Sequence, residues 1–305
     1  MDDTAKLQRS RVRLMAGVPY ALLRTMRPRQ WIKNGMVFAG LVFDAQLFVW
    51  DSVWRVTLAF LLFCVIAGTV YIINDLADIE KDRQHPKKRK RPLASGALPV
   101  SVGRAAAVVL PLVALGIALW FSRPLALTLL VYLLVQIAYS FWLKNVVLID
   151  VMVIASGFLL RVVAGVVVID VSRFSPWLYV VTGFAALFLA VGKRRQELLL
   201  LAEKAAEFRP AYQHYNLALL DEMLRLVTTG TLLSYTLYTF ESRPDRYGML
   251  LTIPFAVYAV MRYLHIIHVQ GKGSAPDEVL VEDIPLMITI ALWGLVIVGV
   301  LYLRL

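Results

Sequence analysis

An all-α, polytopic membrane bundle is the fold class the sequence predicts, and three observations predict it. Hydrophobic residues make up 59% of the 305 residues and charged residues only 17%, with a mean hydropathy of +0.68; soluble domains carry roughly a quarter charged residues. The apolar residues gather in runs close to the roughly 20 that a helix needs to cross a bilayer. Those runs lack period-two alternation and several are rich in Leu, Ala and Gly, which argues against a β-barrel of short strands.

By length, about nine spans are expected, near residues 33–50, 53–74, 99–121, 124–142, 146–169, 176–192, 226–240, 247–268 and 284–303. The chain 1–305 reads as a single transmembrane domain with a basic segment at 1–30. In that segment Arg alternates with Leu7, Val12, Leu14, Met15, Leu22 and Leu23, which suits a helix lying on anionic lipid and equally a frayed topogenic tail. Residues 1–19 are polar and basic with no cleavable leader, so the first span is expected to act as the targeting signal.

The formal net charge is +11. The cations are confined to loops between apolar runs rather than spread over a soluble face, so nucleic acid is not the expected partner. Lys and Arg are dense before the first span, at Lys81 to Arg91, and after the sixth span (Lys193, Arg194, Arg195, Lys204, Arg209); the intervening loops carry few (Arg123, Arg173, Arg243, Arg246). The asymmetry puts the N-terminus and both charged motifs in the cytoplasm and the C-terminus outside. The single cysteine, Cys64, sits inside an apolar run, where no intrachain disulfide can form.

The most informative stretch is NDLADIEKDRQHPKKRKRPLASG, Asn74 to Gly96, directly after the second apolar run. On a helix, Asp75, Asp78 and Asp82 follow i, i+3, i+7 spacing and face one side, while Glu80 and Lys81 point elsewhere. Such a side suits a hard divalent cation, and Mg2+ takes a few carboxylate oxygens and completes its shell from water and substrate phosphates. Lys87, Lys88, Arg89, Lys90 and Arg91 can meet the remaining phosphate charge. The bland reading is a capped, solvated helix end, but unpaired carboxylates at membrane depth are costly. Pro86 and Pro92 should shape the cation run into a loop, whose own bland reading is topogenic.

A second constellation is LAVGKRRQELLLLAE, where Lys193 and Glu197 share a helical face with Arg194 beside them; an anion site and a surface i,i+4 ion pair both fit. The first span opens with RPRQWIKN, in which Arg27, Arg29, Lys33 and Asn34 can meet phosphate or, with Trp31, merely anchor the helix at the interface. Tyr139 and Lys144 close the fourth span, Asp150 opens the fifth, and Arg161 falls mid-span, where it needs a carboxylate or a lipid phosphate. Histidines 85, 214, 265 and 268 form no ligand-like group beyond His265 and His268, which lie at i, i+3 on the eighth span and read as packing or interface residues, and no glycine-rich phosphate loop, paired CxxC or Ser-His-Asp pattern stands out.

NDLADIEKD matches the NDxxDxxxD first motif of the UbiA superfamily of intramembrane prenyltransferases, at Asn74, Asp75, Asp78 and Asp82. In that family a second Asp-rich motif on a later helix faces the first, and the two hold Mg2+ and the diphosphate of a prenyl donor. Here the equivalent place reads GKRRQE. With RPRQWIKN, DRQHPKKRKRPLASG, YSFWLK and APDEVLVEDIPL, this departure resembles the decaprenyl-phosphate phosphoribosyltransferase branch across nearly the whole chain, although that branch leads one to expect a cation at Ile284.

The resemblance implies Mg2+-dependent transfer of 5-phosphoribose from phosphoribosyl diphosphate to a polyprenyl phosphate, in a bacterial cell membrane with the site facing the cytoplasm. The product is the lipid precursor of the arabinose donor for actinobacterial cell walls. It implies that Asn74, Asp75, Asp78 and Asp82 hold the metal and that Lys33, Asn34, Arg83, Lys90, Arg91, Tyr139, Lys144, Arg161, Lys193, Arg194 and Glu197 surround the substrates. Assembly into a homo-oligomer is compatible with this reading. The rivals are an aromatic or quinone prenyltransferase of the same fold, a membrane transporter, and a non-catalytic assembly subunit.

Overall fold

The computed structural model describes residues 17–171, 175–201, 210–242, 247–271, 279 and 282–303. Lys204, Arg209, Arg173, Arg243 and Arg246, and residues 1–16 of the basic N-terminal segment, lie outside the described residues. All regular elements among them are helical. The long ones are α1 (Trp50–Ala77), α2 (Val100–Phe121), α3 (Arg123–Phe141), α4 (Ile149–Val166), α5 (Pro176–Leu201), α6 (Leu217–Ser242), α7 (Ile253–His268) and α8 (Ile284–Tyr302). They alternate up and down, so the C-terminal ends of α1, α3, α5 and α7 meet the N-terminal ends of α2, α4, α6 and α8 at one end of the bundle.

Among the described residues, seven stretches are long and apolar enough to cross a membrane, against the nine spans expected from sequence: α1 to α5, Tyr247–His268 and α8. The chain is therefore an integral membrane protein. The two exceptions have physical reasons. α6 is long enough, but Asp221, Glu222 and Arg225 in its first turns and many Thr, Ser and Tyr make it too polar.

The expected first span, 33–50, is not one α-helix. Pro28–Phe38 is 3-10 helix, Ala39–Phe43 is a five-residue α-helix, and turns follow to Trp50. At about 2.0 Å per residue for 3-10 and 1.5 Å for α, these residues still reach roughly 30 Å. The segment accordingly touches both ends of the bundle: Arg27 meets Asp75 at one, and the Leu47 N–H donates to Tyr302 Oη (3.0 Å) at the other. It crosses α4 at Gly165, where an added Cβ would stand 1.7 Å from the Val37 carbonyl oxygen.

Among the described residues, three large apolar clusters fill the bundle, beside two small ones around Leu93 and Ile72. One joins α1, α2, α3 and the 28–43 segment around Phe63, Leu125 and Leu129; a second joins α4 to α7 around Val191, Leu220 and Tyr263; the third packs α8 under α4 to α6 at the opposite end. The outward faces of α2 and α3 keep Leu112, Trp120 and Leu127 exposed, as a lipid-facing surface requires. Side-chain oxygens cap several helices, as where Ser122 Oγ accepts from Leu125 N at α3, Asn216 Oδ1 from Leu219 N (2.8 Å) at α6 and Asp283 Oδ1 from Leu286 N (2.9 Å) at α8. The Arg262 guanidinium also grips Asp283 with two bonds of 3.0 and 2.8 Å, fastening α7 to α8.

Gly165→Ala is expected to cost about 3 kcal/mol or more, because a backbone oxygen occupies the place of the new methyl group. Gly116→Ala, which meets nothing within 4 Å, should be close to neutral. Thermal unfolding of the two variants in detergent checks the pair.

Candidate active site

At 28 residues α1 exceeds what the hydrocarbon core requires, so its last turns carry Asn74 and Asp75 toward the membrane surface. The helix breaks at Asp78 (φ −99°, ψ 9°) and resumes over Ile79–Gln84, and two backbone bonds flank the break: Asp78 N donates to Asn74 O (3.0 Å) and Asp82 N to Asp78 O (2.8 Å). Asp75 and Asp82, two turns apart, therefore share a side and are both 2% exposed, while Asp78 lies half-buried between them.

Two arginines hold that acidic side. Arg27 Nη2 donates to Asp75 Oδ1 (2.6 Å), and Arg91 Nη1 donates both to Asp75 Oδ1 (3.2 Å) and to Asp82 Oδ2 (2.6 Å). Arg91 reaches them because the loop between Pro86 and Pro92 folds back, with one 3-10 turn at Lys88–Lys90. His85 Nδ1 accepts the N–H groups of Lys87 and Lys88 at 3.2 and 3.3 Å, so this histidine shapes the loop. Arg83 instead pairs with Glu80 (2.8 Å) on the exposed face, and Lys90 is exposed.

The second motif lies at the same end of the bundle, on the last turns of α5. Arg194 is 1% exposed and held on every side: Nε donates to Asp150 Oδ2 (2.7 Å), Nη1 to Glu197 and to Tyr212 Oη (3.0 Å), and Nη2 to Tyr139 Oη (3.2 Å). Asp150, fully buried at the start of α4, also accepts from Tyr215 Oη (2.7 Å), and Tyr212 Oη donates to Glu197. Burial, and then the hydrogen bond to Asp150, push the Tyr215 phenol well above its ordinary range. Lys193 Nζ stands 3.9 Å from Glu197 Oε1 and is more open than Arg194. Lys144 follows α3 in the 3-10 turn Leu143–Asn145, at this same end.

Arg161 sits apart, 11 residues along α4 from Asp150 and so about 16 Å deeper. Its partners are neutral: Nε donates to Asn34 Oδ1 (2.8 Å), Nη1 to Gly157 O (2.7 Å) and Nη2 to Tyr132 Oη (3.0 Å), with Phe63, Tyr132 and Phe158 rings around it. Of the partners expected from sequence, the carboxylate is not there: none among the described residues pairs with it. Asn34 also donates to Cys64 Sγ (3.2 Å), so its amide ties the 28–43 segment to α1 and α4. Lys33, beside it, is half-buried.

Sequence reasoning did not pair Arg27 with Asp75, left Tyr132, Tyr212 and Tyr215 out of the candidate set and did not pair Asp150 with Arg194. The partners stand 48, 29, 18, 65 and 44 residues apart respectively, and no local spacing encodes such contacts.

Among the described residues no three His, Cys, Asp or Glu side chains are already gathered as a metal group. The donor chemistry nevertheless fits a hard cation. A positive nitrogen already stands between two buried carboxylates, and Mg2+ itself needs only one or two carboxylates when phosphates and water complete its shell.

The model of the UbiA prenyltransferase family matches residues 35–196. The chain belongs to this family. A decaprenyl-phosphate phosphoribosyltransferase of Mycolicibacterium smegmatis is 35% identical over 293 residues, covering 89% of each chain. One of Corynebacterium glutamicum is 33% identical, covering 92% of this chain and 87% of that one. Among solved structures, a UbiA homolog from Archaeoglobus fulgidus bound to DMAPP and Mg2+ superposes with a TM-score of 0.70 at 19% identity, over 92% of this chain and 98% of that one. The UbiA fold is thus shared along nearly the whole chain, and solved members of the fold carry a divalent metal.

Arg194→Ala should destabilise this UbiA-family bundle by about 3–5 kcal/mol, since it leaves the Asp150 carboxylate buried without its charge partner. Arg194→Lys is expected to recover little, because one ammonium cannot reach Asp150, Glu197 and two tyrosines together. Thermal unfolding in detergent reads both.

Proposed function

We propose that this protein transfers 5-phosphoribose from phosphoribosyl diphosphate to a polyprenyl phosphate, in a bacterial cell membrane with the site on the cytoplasmic side. The observation that carries the reading is the similarity, along about nine-tenths of both chains, to proteins named decaprenyl-phosphate phosphoribosyltransferase. The charge arrangement supports it. The reaction brings together a diphosphate, a 5-phosphate and a lipid phosphate, and like charges a few Å apart repel by kcal/mol in a site of reduced dielectric. Lys193 and Lys144, at the same end of the bundle as the carboxylates, would relieve that repulsion.

In this account Asp75, Asp78 and Asp82, with Asn74, hold Mg2+. Bound there, Mg2+ supplies neutralisation of the departing diphosphate. The C1–oxygen bond of the donor breaks with its electron pair leaving on diphosphate, and an oxygen of the lipid phosphate forms the new bond from the opposite face of the ribose. The anomeric configuration inverts. A phosphate monoester is already ionised at neutral pH, so the protein contributes positioning and charge stabilisation rather than a strong general base. Lys33, Lys90, Arg91, Lys144 and Lys193 are the cations offered to phosphates. Arg194 is committed to its carboxylates and phenols, and so positions Tyr139, Glu197 and Lys193. Arg161 and Asn34 brace the crossing of the 28–43 segment, deeper than the carboxylates.

Purified protein with labelled phosphoribosyl diphosphate, decaprenyl phosphate and Mg2+ should yield lipid-soluble label. Asp78→Asn should lower the rate about 100-fold or more, and chelation should abolish transfer. Label transferred only from a polyprenyl diphosphate to an aromatic acceptor would replace the reading with that of a prenyltransferase.

A further inference from the structure

The contacts of Arg27 and Arg91 carry a consequence for how the acidic side takes a ligand. Arg27 is held in the left-handed region (φ 54°, ψ 66°), immediately before Pro28. That conformation is disfavoured for a side chain with a Cβ, and a following proline restricts it further, so the surrounding structure must impose it. The bonds that do so are visible. Met26 N donates to Leu22 O (3.1 Å), Gln30 N to Arg27 O (2.8 Å), and the Trp31 indole to Met26 O (3.2 Å). The result aims the guanidinium across the Tyr71 ring, 4.6 Å from its centroid, onto Asp75.

The arginine side chains are 33% and 28% exposed, whereas the carboxylates they bind are 2% exposed. Asp75 and Asp82 thus face outward through Arg27 and Arg91. A divalent cation that takes these oxygens must take them from guanidinium groups. Alone, it would leave two arginines beside a positive ion with no anion of their own. Arriving with a diphosphate, it brings oxygens that those same guanidiniums can grip in their place.

We propose that Arg27 and Arg91 are exchangeable counter-ions, which pass from Asp75 and Asp82 to the oxygens of a diphosphate substrate when a divalent cation takes the carboxylates. This rests on the metal-diphosphate reading of the site and adds to it a phosphate-binding role for Arg27 and an energetic coupling between metal and donor. Each ligand strengthens the other's binding, because each supplies the charge partner the other displaces.

The test is a Mn2+ titration followed by electron paramagnetic resonance, on full-length protein stripped of divalent cations, with and without phosphoribosyl diphosphate. Wild type should bind Mn2+ weakly alone and at least about 10-fold more tightly with the donor. Arg91→Gln should bind Mn2+ alone more tightly than wild type, bind the donor more weakly, and lose most of the coupling. Arg27→Gly, which accepts the left-handed backbone, should show the same changes in smaller measure. Should Arg91→Gln fail to fold, Arg91→Lys keeps the charge but loses the fork, and the coupling should still fall.

Unchanged or weaker Mn2+ binding without donor in the substituted proteins overturns the exchange, as does equal Mn2+ affinity with and without donor in wild type. Coupling that appears with geranyl diphosphate but not with phosphoribosyl diphosphate leaves the exchange standing and removes the phosphoribosyl reading instead.

Discussion

Charge buried at the edge of a low-dielectric bundle must be matched at close range, and the charged end of this protein is organised by that requirement. Asp75, Asp82, Asp150 and Arg194 are each no more than 2% exposed, and each has an opposite charge within 3.2 Å. The matching differs between the two motifs. Around Asp150 and Arg194, themselves closed off, Tyr212 and Tyr215 are buried and Tyr139 and Glu197 partly so, and three helices and the Tyr212–Tyr215 turn converge. Around Asp75 and Asp82 the partners are partly exposed arginines. One network is closed within the bundle, and the other opens to the surface through its arginines.

The same logic explains how the 28–43 segment crosses the bundle. It is stretched into 3-10 form, gripped from inside by Arg161 through Asn34 and pressed against α4 at Gly165. Its near end presents Arg27 to the carboxylates, and its far end is tied to α8 through Tyr302. A buried guanidinium surrounded by amide, carbonyl, phenol and three aromatic faces is a framework device, because hydrogen bonds and ring quadrupoles together offset the cost of its desolvation. That device also keeps the mouth of the site and the membrane-crossing segment in one mechanical unit.

Much of this was legible in the sequence. Apolar runs located α1 to α5, α7 and α8 because hydropathy over 20 residues is a strong signal, and the i, i+3, i+7 spacing put Asp75 and Asp82 on one side. What hydropathy could not carry was helix type: 33–50 is apolar whether it is α or 3-10. Nor could spacing reveal the long-range pairs. Asp150 and Arg194 were both singled out by type, yet their bond, and the αL turn that delivers Arg27, depend on helices packing from distant parts of the chain. Membership of the UbiA family supplied the fold, while the cationic α5 motif and the two half-open arginines come from this chain's own residues.

The central claim is that the acidic side formed by Asp75, Asp78 and Asp82 at the end of α1 holds a divalent ion directly against the phosphates of the sugar donor. Pulsed electron paramagnetic resonance of Mn2+ bound to the wild-type protein with phosphoribosyl diphosphate measures this by its coupling to phosphorus nuclei. The account predicts a clear 31P coupling that disappears in Asp78→Asn. Mn2+ bound at α1 with no phosphorus coupling while the donor is also bound would contradict it.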